Sequence, residues 1–318
     1  MKEYAFGIDL GGTTAKVGLF TTSGALLEKW EVPTDTSNAG EHILKNLAAA
    51  VQGKMQEKGL AAEQVEGVGV GVPGPVLDSR IVPIICANLG GWGKHNVAEE
   101  LGGMLGGIKV LVGNDANVAA LGEIWMGAAK GCRSAVMVTL GTGVGGGVIV
   151  NGKVIDGTHG AGGEIGHITV NRHETAVCGC GKRGCVEQYC SATGIVRLAK
   201  LALDASQEES SLRRVTSLTC KDIFDAGKQG DQLALQVLDQ YYAYMGEFLA
   251  NVCCVVNPEV VVIGGGVSKA GNVLLDGLKP YFGKYVFHAA SNVQFALASL
   301  GNDAGAYGAF KLALDAAK

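Results

Sequence analysis

The sequence contains few prolines, few charged residues and no long uninterrupted hydrophobic run. Proline supplies 6 of the 318 residues, and the four charged residue types together supply 18%. The longest apolar stretch in the C-terminal part of the sequence, 252–263, is interrupted by Asn257, Pro258 and Glu259. It is therefore too short and too polar to span a bilayer. The N-terminal residues also lack the pattern of a signal peptide. We therefore predict a cytoplasmic protein that does not associate with membranes.

Positive charge is also scarce. Lysine and arginine number 26 against 30 aspartates and glutamates, which gives a formal net charge of −4. Domains that bind nucleic acid carry a basic surface that attracts phosphates. We therefore predict no nucleic-acid partner.

Glycine, in contrast, supplies 50 of the 318 residues, more than twice its usual share of about 7%. With so few prolines and no Gly-X-Y period the chain is not collagen-like, and a hydrophobic share of 47% argues against disorder. The length predicts two domains at about 150 residues each. The excess glycine indicates turns and close backbone approaches, which are typical of a ligand site.

The glycine turns occur in a repeated order of strands. Strand, glycine turn, strand, polar turn and strand follow one another over 4–32 and again over 135–155. The repetition predicts a structural duplication with two similar α/β halves. A third glycine turn follows the apolar strand 260–263. The three turns are Gly11, Gly12, Thr13 and Thr14; Gly141, Thr142 and Gly143; and Gly264, Gly265 and Gly266.

These turns present the groups that bind polyphosphate. Glycines expose backbone N–H groups, and threonine hydroxyls add further donors. We predict that the first two turns hold the phosphates of a nucleotide from both sides and that the third lies under its adenosine. Asp9, just before the first turn, is predicted to hold a hydrated Mg²⁺. A plain tight hairpin is the alternative for each turn taken alone.

Two familiar nucleotide-binding motifs are excluded by their context. Gly141, Gly143 and Gly146 match a dinucleotide fingerprint, but that motif requires a helix after the glycines, and the β-branched residues 148–150 predict a strand. A near match to a P-loop fails because Val154 stands where a serine or threonine must bind magnesium. The chain is therefore predicted to be neither a dinucleotide-dependent dehydrogenase nor a P-loop protein.

Three of the nine cysteines form a tight group. Cys178, Cys180 and Cys185 together with His167 make a Cys₃His set, which structural zinc sites prefer. Three free thiols in a glycine loop are the alternative. Without an export signal, a metal site is favoured over disulfides, and we predict a structural zinc ion.

Six motifs in this order resemble the sugar kinases of the ROK (repressor, open reading frame, kinase) family. They are Asp9-x-Gly11-Gly12-Thr13 with Lys16, Gly71-x-Pro73-Gly74, Asn114-Asp115-x-Asn117, Gly141-Thr142-Gly143-x-Gly145-Gly146, Gly163-Glu164-x-Gly166-His167 and Cys178-x-Cys180-Gly181-x-x-Gly184-Cys185-x-Glu187. The resemblance runs from about residue 4 to the last helix. Within the family, the chain is most similar to the bacterial glucokinases.

The resemblance implies an actin/hexokinase-like fold, which is a duplicated, ribonuclease H-like α/β fold of two domains with a cleft between them. We place a small N-terminal domain at 1–117 plus 303–318 and a large domain with the zinc loop at 118–302. The implied cofactors are ATP, Mg²⁺ and structural Zn²⁺. A homodimer or homotetramer is expected.

The resemblance also assigns roles to residues. Asp115 is the expected catalytic base, although a helix N-cap is the alternative for an aspartate at a strand end. The expected sugar-binding residues are Gly74, Asn88, Asn114, Asp115, Glu164, His167 and Glu187. Those expected to bind nucleotide are Asp9, Gly11, Gly12, Thr13, Thr14, Lys16, Thr142, Gly143, Gly264, Gly265 and Gly266.

The implied reaction is transfer of the γ-phosphoryl group of ATP to a hexose, with the 6-hydroxyl of glucose as the expected acceptor. A kinase for N-acetylmannosamine, fructose, mannose or allose stays open, because the motifs are shared among these enzymes. A sugar-sensing transcriptional repressor is ranked lower. Such repressors carry a helix-turn-helix ahead of the strand that ends in Asp9, whereas that strand begins here at residue 4.

Overall fold

The computed structural model describes residues 2–315. Met1 and 316–318 lie outside the described residues, and with them the last two positions of the final predicted helix, 305–317. The chain divides into two compact units. The first comprises Met1–Gly131, Gly147–Gly163 and Ser299–Lys318, and the second comprises Cys132–Gly146 and Glu164–Ala298.

Strands and helices follow one another in runs along the described residues. The strands are β1 (Tyr4–Leu10), β2 (Thr14–Thr21), β3 (Leu26–Pro33), β4 (Val65–Val72), β5 (Ile81–Cys86), β6 (Trp92–Asn96), β7 (Val110–Asn114), β8 (Ala135–Leu140), β9 (Val144–Val150), β10 (Lys153–Val154), β11 (Val260–Gly264) and β12 (Gln294–Leu297). The α-helices are α1 (Ile43–Lys58), α2 (Val97–Met104), α3 (Asp115–Met126), α4 (Glu187–Cys190), α5 (Ala192–Ala205), α6 (Cys220–Lys228), α7 (Gln232–Val256), α8 (Asn272–Tyr285) and α9 (Ala304–Asp315).

Two five-stranded sheets repeat one topology. The first has the order β3-β2-β1-β4-β7 and the second the order β10-β9-β8-β11-β12. In each, an antiparallel three-stranded meander is followed by two strands that pair in parallel with its first strand or with each other. This confirms the predicted duplication and the mixed α/β fold class.

The first sheet is covered by helices on both faces. The sequence of β4 alternates valine with glycine, and nearly all of its residues are buried, as is typical of a parallel strand between helix layers. On one face, α1 buries the apolar stripe of Ile43, Leu47 and Val51 in the same core as β4. On the other face, α9 lies so close that a Cβ on Gly69 would be 1.7 Å from the carbonyl oxygen of Ala309. Small residues therefore bring α9 onto the sheet.

The observed units divide the chain at different places from the predicted domains. The sequence assigns 118–302 to one domain, whereas close packing groups α3 and 147–163 with the first unit. Two contacts give the reason: a Cβ on Gly147 would be 2.5 Å from the Cβ of Ala120, and one on Gly308 would be 1.7 Å from the carbonyl oxygen of Val118. The predicted limits, 1–117 plus 303–318 and 118–302, stay a prediction of the functional domains.

Several elements have no counterpart among those that the sequence predicts. Strands β5 and β6 form a separate antiparallel pair, and α8 and the edge strand β12 follow β11 in the second unit. The short helix α4 lies in the glycine- and cysteine-rich stretch 157–190, for which we predict no helix. Among residues 2–315, no helix combines the length and apolar character needed to cross a bilayer.

Glu123 is a fully buried carboxylate in α3. Its Oε2 accepts hydrogen bonds from the amides of Ala128 (2.7 Å) and Ser299 (3.2 Å) and from the Ser299 hydroxyl (3.4 Å), and its Oε1 accepts one from the amide of Leu300 (2.8 Å). The carboxylate thus joins the end of α3 to the segment that leads into α9. Four donors satisfy a charge that burial alone would make costly.

Glu123→Gln is expected to lower the free energy of unfolding by about 2–4 kcal/mol, because one acceptor oxygen becomes an amide that faces an N–H donor. The measurement is urea unfolding, with Glu63→Gln, an exposed glutamate of the same unit, as the matched control. Equal midpoints for the two variants would refute a structural role for the buried carboxylate.

Candidate active site

Asp115 is the first residue of α3 and directly follows β7. The helix is capped by Asn114, whose Oδ1 accepts hydrogen bonds from the amides of Ala116 (3.0 Å) and Asn117 (3.1 Å). One Asp115 oxygen, Oδ1, accepts a hydrogen bond from the Ala116 amide at 2.7 Å. The N-cap role proposed as the alternative for Asp115 therefore belongs to its neighbour.

The Pro73–Gly74 turn is tied to the start of α3. The side-chain amide of Asn114 donates to the carbonyl oxygen of Gly74 at 3.1 Å. The buried thiol of Cys86 donates to the carbonyl oxygen of Pro73 at 3.1 Å. Burial raises the pKa of the Cys86 thiol, and the charge of Asp115 raises it further, which places Cys86 within the electrostatic reach of Asp115. Sequence reasoning missed Cys86, since a lone cysteine has no motif.

The first glycine turn lies beside Asn88. The Gly11 amide donates to the carbonyl oxygen of Thr14 at 3.1 Å, which closes the turn between β1 and β2. A Cβ on Gly12 would lie 2.7 Å from the backbone oxygen of Asn88, so a predicted phosphate turn and a predicted sugar residue adjoin within the first unit. The side chains of Thr13 and Asn88 are exposed.

Asp9 is the penultimate residue of β1 and lies against the start of α9. A Cβ on Gly305, the second residue of α9, would be 2.4 Å from Cγ of Asp9. Burial raises the pKa of Asp9, and the charge of Lys16, its partner across the β1–β2 ladder, opposes that rise. Lys16 also donates to the carbonyl oxygen of Asn302 at 3.2 Å. Burial thus disfavours the carboxylate form that a hydrated cation requires, and Lys16 favours it.

The second and third glycine turns adjoin in the second unit. Strands β8 and β11 are parallel, with Gly264 in register with Thr139, so both turns leave the same edge of the sheet. Gly265 has a positive φ of 82°, and a Cβ there would be 2.5 Å from the carbonyl oxygen of Leu140, so the position requires glycine. The carboxyl ends of parallel strands are where α/β sheets bind ligands.

The Gly141–Gly143 turn is also held by α5 and by Glu187. The Ala192 amide donates to the carbonyl oxygen of Gly141 at 2.8 Å. The Glu187 Oε2 accepts a hydrogen bond from the Val144 amide at 3.0 Å, and a Cβ on Gly143 would be 2.2 Å from that oxygen. The Glu187 Oε1 accepts from the Cys178 thiol at 3.5 Å. The carboxylate predicted to bind sugar therefore bridges the glycine turn and the cysteine group.

The predicted zinc ligands converge. One donor atom from each of His167, Cys178, Cys180 and Cys185 lies within 4.8 Å of the others. The Cys180 and Cys185 sulfurs are 3.7 Å apart, and the Cys178 sulfur is 3.9 Å from Nδ1 of His167. Three thiols and one imidazole are the donor set of a closed structural zinc site, so these residues fit the ion.

The thiols differ in their environments. Burial raises the pKa of Cys178, and it raises that of Cys185 to about 12. Burial also acts on Cys180, but the backbone N–H of Lys182 and the neighbouring thiols outweigh it and lower its pKa. A bound cation would favour all three thiolates.

His167 connects the cysteine group to Glu164. Its Nδ1 faces Cys178, and its Nε2 lies 3.9 Å from Oε2 of the exposed Glu164. The imidazole can therefore hold a metal through Nδ1 while Nε2 stays on the side of Glu164.

The predicted residues thus form one group in each unit. The first unit holds Asp9, Gly11, Gly12, Thr13, Thr14, Lys16, Gly74, Asn88, Asn114 and Asp115. The second holds Thr142, Gly143, Glu164, His167, Cys178, Cys180, Cys185, Glu187, Gly264, Gly265 and Gly266. A cleft that joins the two groups stays a prediction.

Comparison with known proteins gives consistent matches. A model of the ROK family matches residues 5–316. A glucokinase of Halalkalibacterium halodurans is 41% identical over 308 residues, which cover 95% of this chain and 92% of that protein. An N-acetylgalactosamine kinase of a Shewanella species is 31% identical over 311 residues, covering 96% and 94% of the two chains.

A solved structure agrees with the fold. The ROK family glucokinase from Streptomyces griseus, in complex with glucose and AMPPNP, is 33% identical and superposes with a TM-score of 0.75, covering 97% of this chain and 98% of that one. The fold and the motifs therefore define a sugar kinase of mixed α/β architecture. The chain belongs to the ROK family, which confirms the resemblance of its motifs.

Proposed function

We propose that this sugar kinase transfers the γ-phosphoryl group of ATP to the 6-hydroxyl of glucose. The observation that carries the proposal is the 41% identity to a glucokinase across 95% of the chain. The relative bound to glucose and AMPPNP supports both substrates. The geometry of each unit supports the roles of individual residues.

Asp115 is proposed as the base that positions the accepting hydroxyl. Because Asn114 caps α3, the Asp115 side chain is not required as the cap. Phosphoryl transfer passes through a loose transition state, in which the acceptor proton leaves late. Holding the hydroxyl oxygen in line with the phosphorus then matters more than high basicity. A carboxylate at a helix start, which is easily kept ionised, suits that task.

The other proposed sugar residues divide into two kinds. Asn88 and Glu164 have exposed side chains that can hydrogen-bond to hydroxyls, and His167 offers Nε2. Asn114 and Glu187 have their polar atoms engaged by Gly74 and Val144, so they act partly by holding those backbone segments in place. A buried hydroxyl without a partner would be costly, so a polyol site needs several such groups.

The glycine turns are proposed to bind the triphosphate through their backbone amides. Thr13, Thr14, Lys16 and Thr142 would add donors, and Gly264–266 would lie under the adenosine. Mg²⁺ would neutralise charge on the transferred phosphate, with Asp9 holding it through its water ligands. Zn²⁺ would be held by His167, Cys178, Cys180 and Cys185 and would be structural, since four protein ligands close the site.

The substrate is tested by an ADP-release assay across glucose, mannose, fructose, allose, N-acetylmannosamine and N-acetylgalactosamine. We expect kcat/KM for glucose to exceed that for every other sugar by about tenfold or more, since one lost or misplaced hydrogen bond at a polar site has at least that effect. A preference for an N-acetylhexosamine, as the Shewanella relative's name suggests for that protein, would overturn the glucose assignment. It would leave the assignment as a sugar kinase intact. Turnover of no sugar, with binding to DNA, would favour the repressor.

A further inference from the structure

The segment Asp156–Gly162 forms a loop that closes on itself within the first unit. The Gly162 amide donates to the carbonyl oxygen of Asp156 at 2.7 Å, and the Gly160 amide donates to that of Gly157 at 3.3 Å. A Cβ on Gly162 would lie 2.1 Å from the carbonyl oxygen of Ile155, so this closure requires glycine. Compact loops whose ends meet are often functional.

One buried side chain holds both ends of this loop. Nδ2 of Asn117 donates to Oδ1 of Asp156 at 3.1 Å and to the carbonyl oxygen of Gly162 at 3.3 Å. Asn117 is 1% exposed and stands two residues after Asp115 in α3. Its Oδ1 has no hydrogen-bond partner among the described residues. The side chain of Asn117 therefore acts on its surroundings through the two hydrogen bonds from Nδ2. Buried hydrogen bonds of this kind have a large effect when one partner is removed.

The loop also rests on the segment that carries Gly74. A Cβ on Gly160 would be 2.4 Å from the carbonyl oxygen of Val76, two residues after Gly74. Gly74 itself is bound by Asn114. The start of α3 therefore fixes two backbone segments, one through its cap Asn114 and the other through Asn117.

We propose that Asn117 and Asp156 are positioning residues of the sugar site. They hold the loop 156–162, which lies against the Gly74 segment and ends two residues before Glu164. Loss of either bond releases the loop and weakens the hold on the hexose, while the nucleotide turns stay in place. This inference rests on the proposed function, since Gly74 and Glu164 are sugar-binding residues only under it.

Three variants test the proposal in the intact protein with the best hexose of the panel. Asp156→Ala is expected to raise the KM for that hexose about tenfold, with kcat and the KM for ATP within about twofold. Asp156→Asn keeps an oxygen that accepts from Asn117, so its KM is expected within about threefold of the parent. Val118→Ala, at the next position of α3 and equally buried, is the matched control and is expected to lose stability without a change in KM.

Hydrogen exchange provides a readout that does not depend on turnover. Amides of residues 157–163 are expected to exchange about tenfold faster in Asp156→Ala and in Asn117→Ala than in the parent. In Val118→Ala their exchange rates are expected to equal those of the parent. An unchanged KM in Asp156→Ala overturns the proposal and leaves the glucokinase assignment intact. If the parent phosphorylates no hexose, the proposed function fails. Unchanged hydrogen exchange in Asp156→Ala and Asn117→Ala would then also overturn the inference that Asn117 and Asp156 hold the loop 156–162.

Discussion

Asp115→Asn is expected to lower kcat for glucose phosphorylation by a factor of about 10²–10⁴, the range that a positioned general base supplies. The substitution keeps an oxygen at Oδ1, which accepts the hydrogen bond from the Ala116 amide. The cap of α3 belongs to Asn114 and is unaffected. The fold and the binding of glucose are therefore expected to persist, and the loss falls on the chemical step.

The measurement combines the ADP-release assay with calorimetric titration of glucose. We expect the Kd for glucose to stay within about threefold of the parent value, because an amide still accepts a hydrogen bond from the sugar hydroxyl. Asp78→Asn, at an exposed aspartate of the same unit, is the matched control and is expected to leave kcat unchanged. A kcat for Asp115→Asn within tenfold of the parent would remove Asp115 from the role of base.

Freshly purified protein is expected to contain about one zinc ion per chain, and Cys180→Ser is expected to lose most of it. Apparent binding free energies of structural zinc reach about 10–16 kcal/mol in small zinc domains, so losing the ion disorders the segment that depends on it. Glu164, His167 and Glu187 lie on or beside that segment. The KM for glucose is therefore expected to rise more than about tenfold, with a lower temperature of unfolding.

Cys180 is the best position for this test because its side chain is exposed, unlike those of Cys178 and Cys185. Replacing an exposed sulfur with oxygen removes little packing, so a large effect must come from the metal. Cys254→Ser, at an exposed cysteine of the same unit outside the group, is the control. Elemental analysis that finds no zinc in fresh parent protein would refute the site.

The sequence predicts well those features that depend on residues close together in the chain. Cys178, Cys180 and Cys185 lie within eight positions of one another, and their sulfurs converge. The glycine turns follow apolar strands, and the structure places all three between or after strands as expected. The repeated order of strands and turns predicts the duplicated topology, because each half follows the same local rules.

The sequence predicts poorly those contacts that join distant polar residues. Asn117 and Asp156 are 39 positions apart, and no periodicity relates an amide in one helix to a carboxylate in a later loop. The four hydrogen bonds of Glu123 likewise join residues up to 177 positions apart. The limits of the compact units depend on such packing, which explains why they differ from limits drawn along the sequence.

Glu187 connects two parts of the second unit through one carboxylate. One of its oxygens accepts from the Val144 amide at the glycine turn, and the other accepts from the thiol of Cys178. The bond from Cys178 requires the protonated thiol, so a zinc ion that takes Cys178 as a thiolate would remove it and leave Glu187 bound to the turn alone. Under the nucleotide-binding role proposed for this turn, the affinity for ATP would then depend on the chemical state of Cys178.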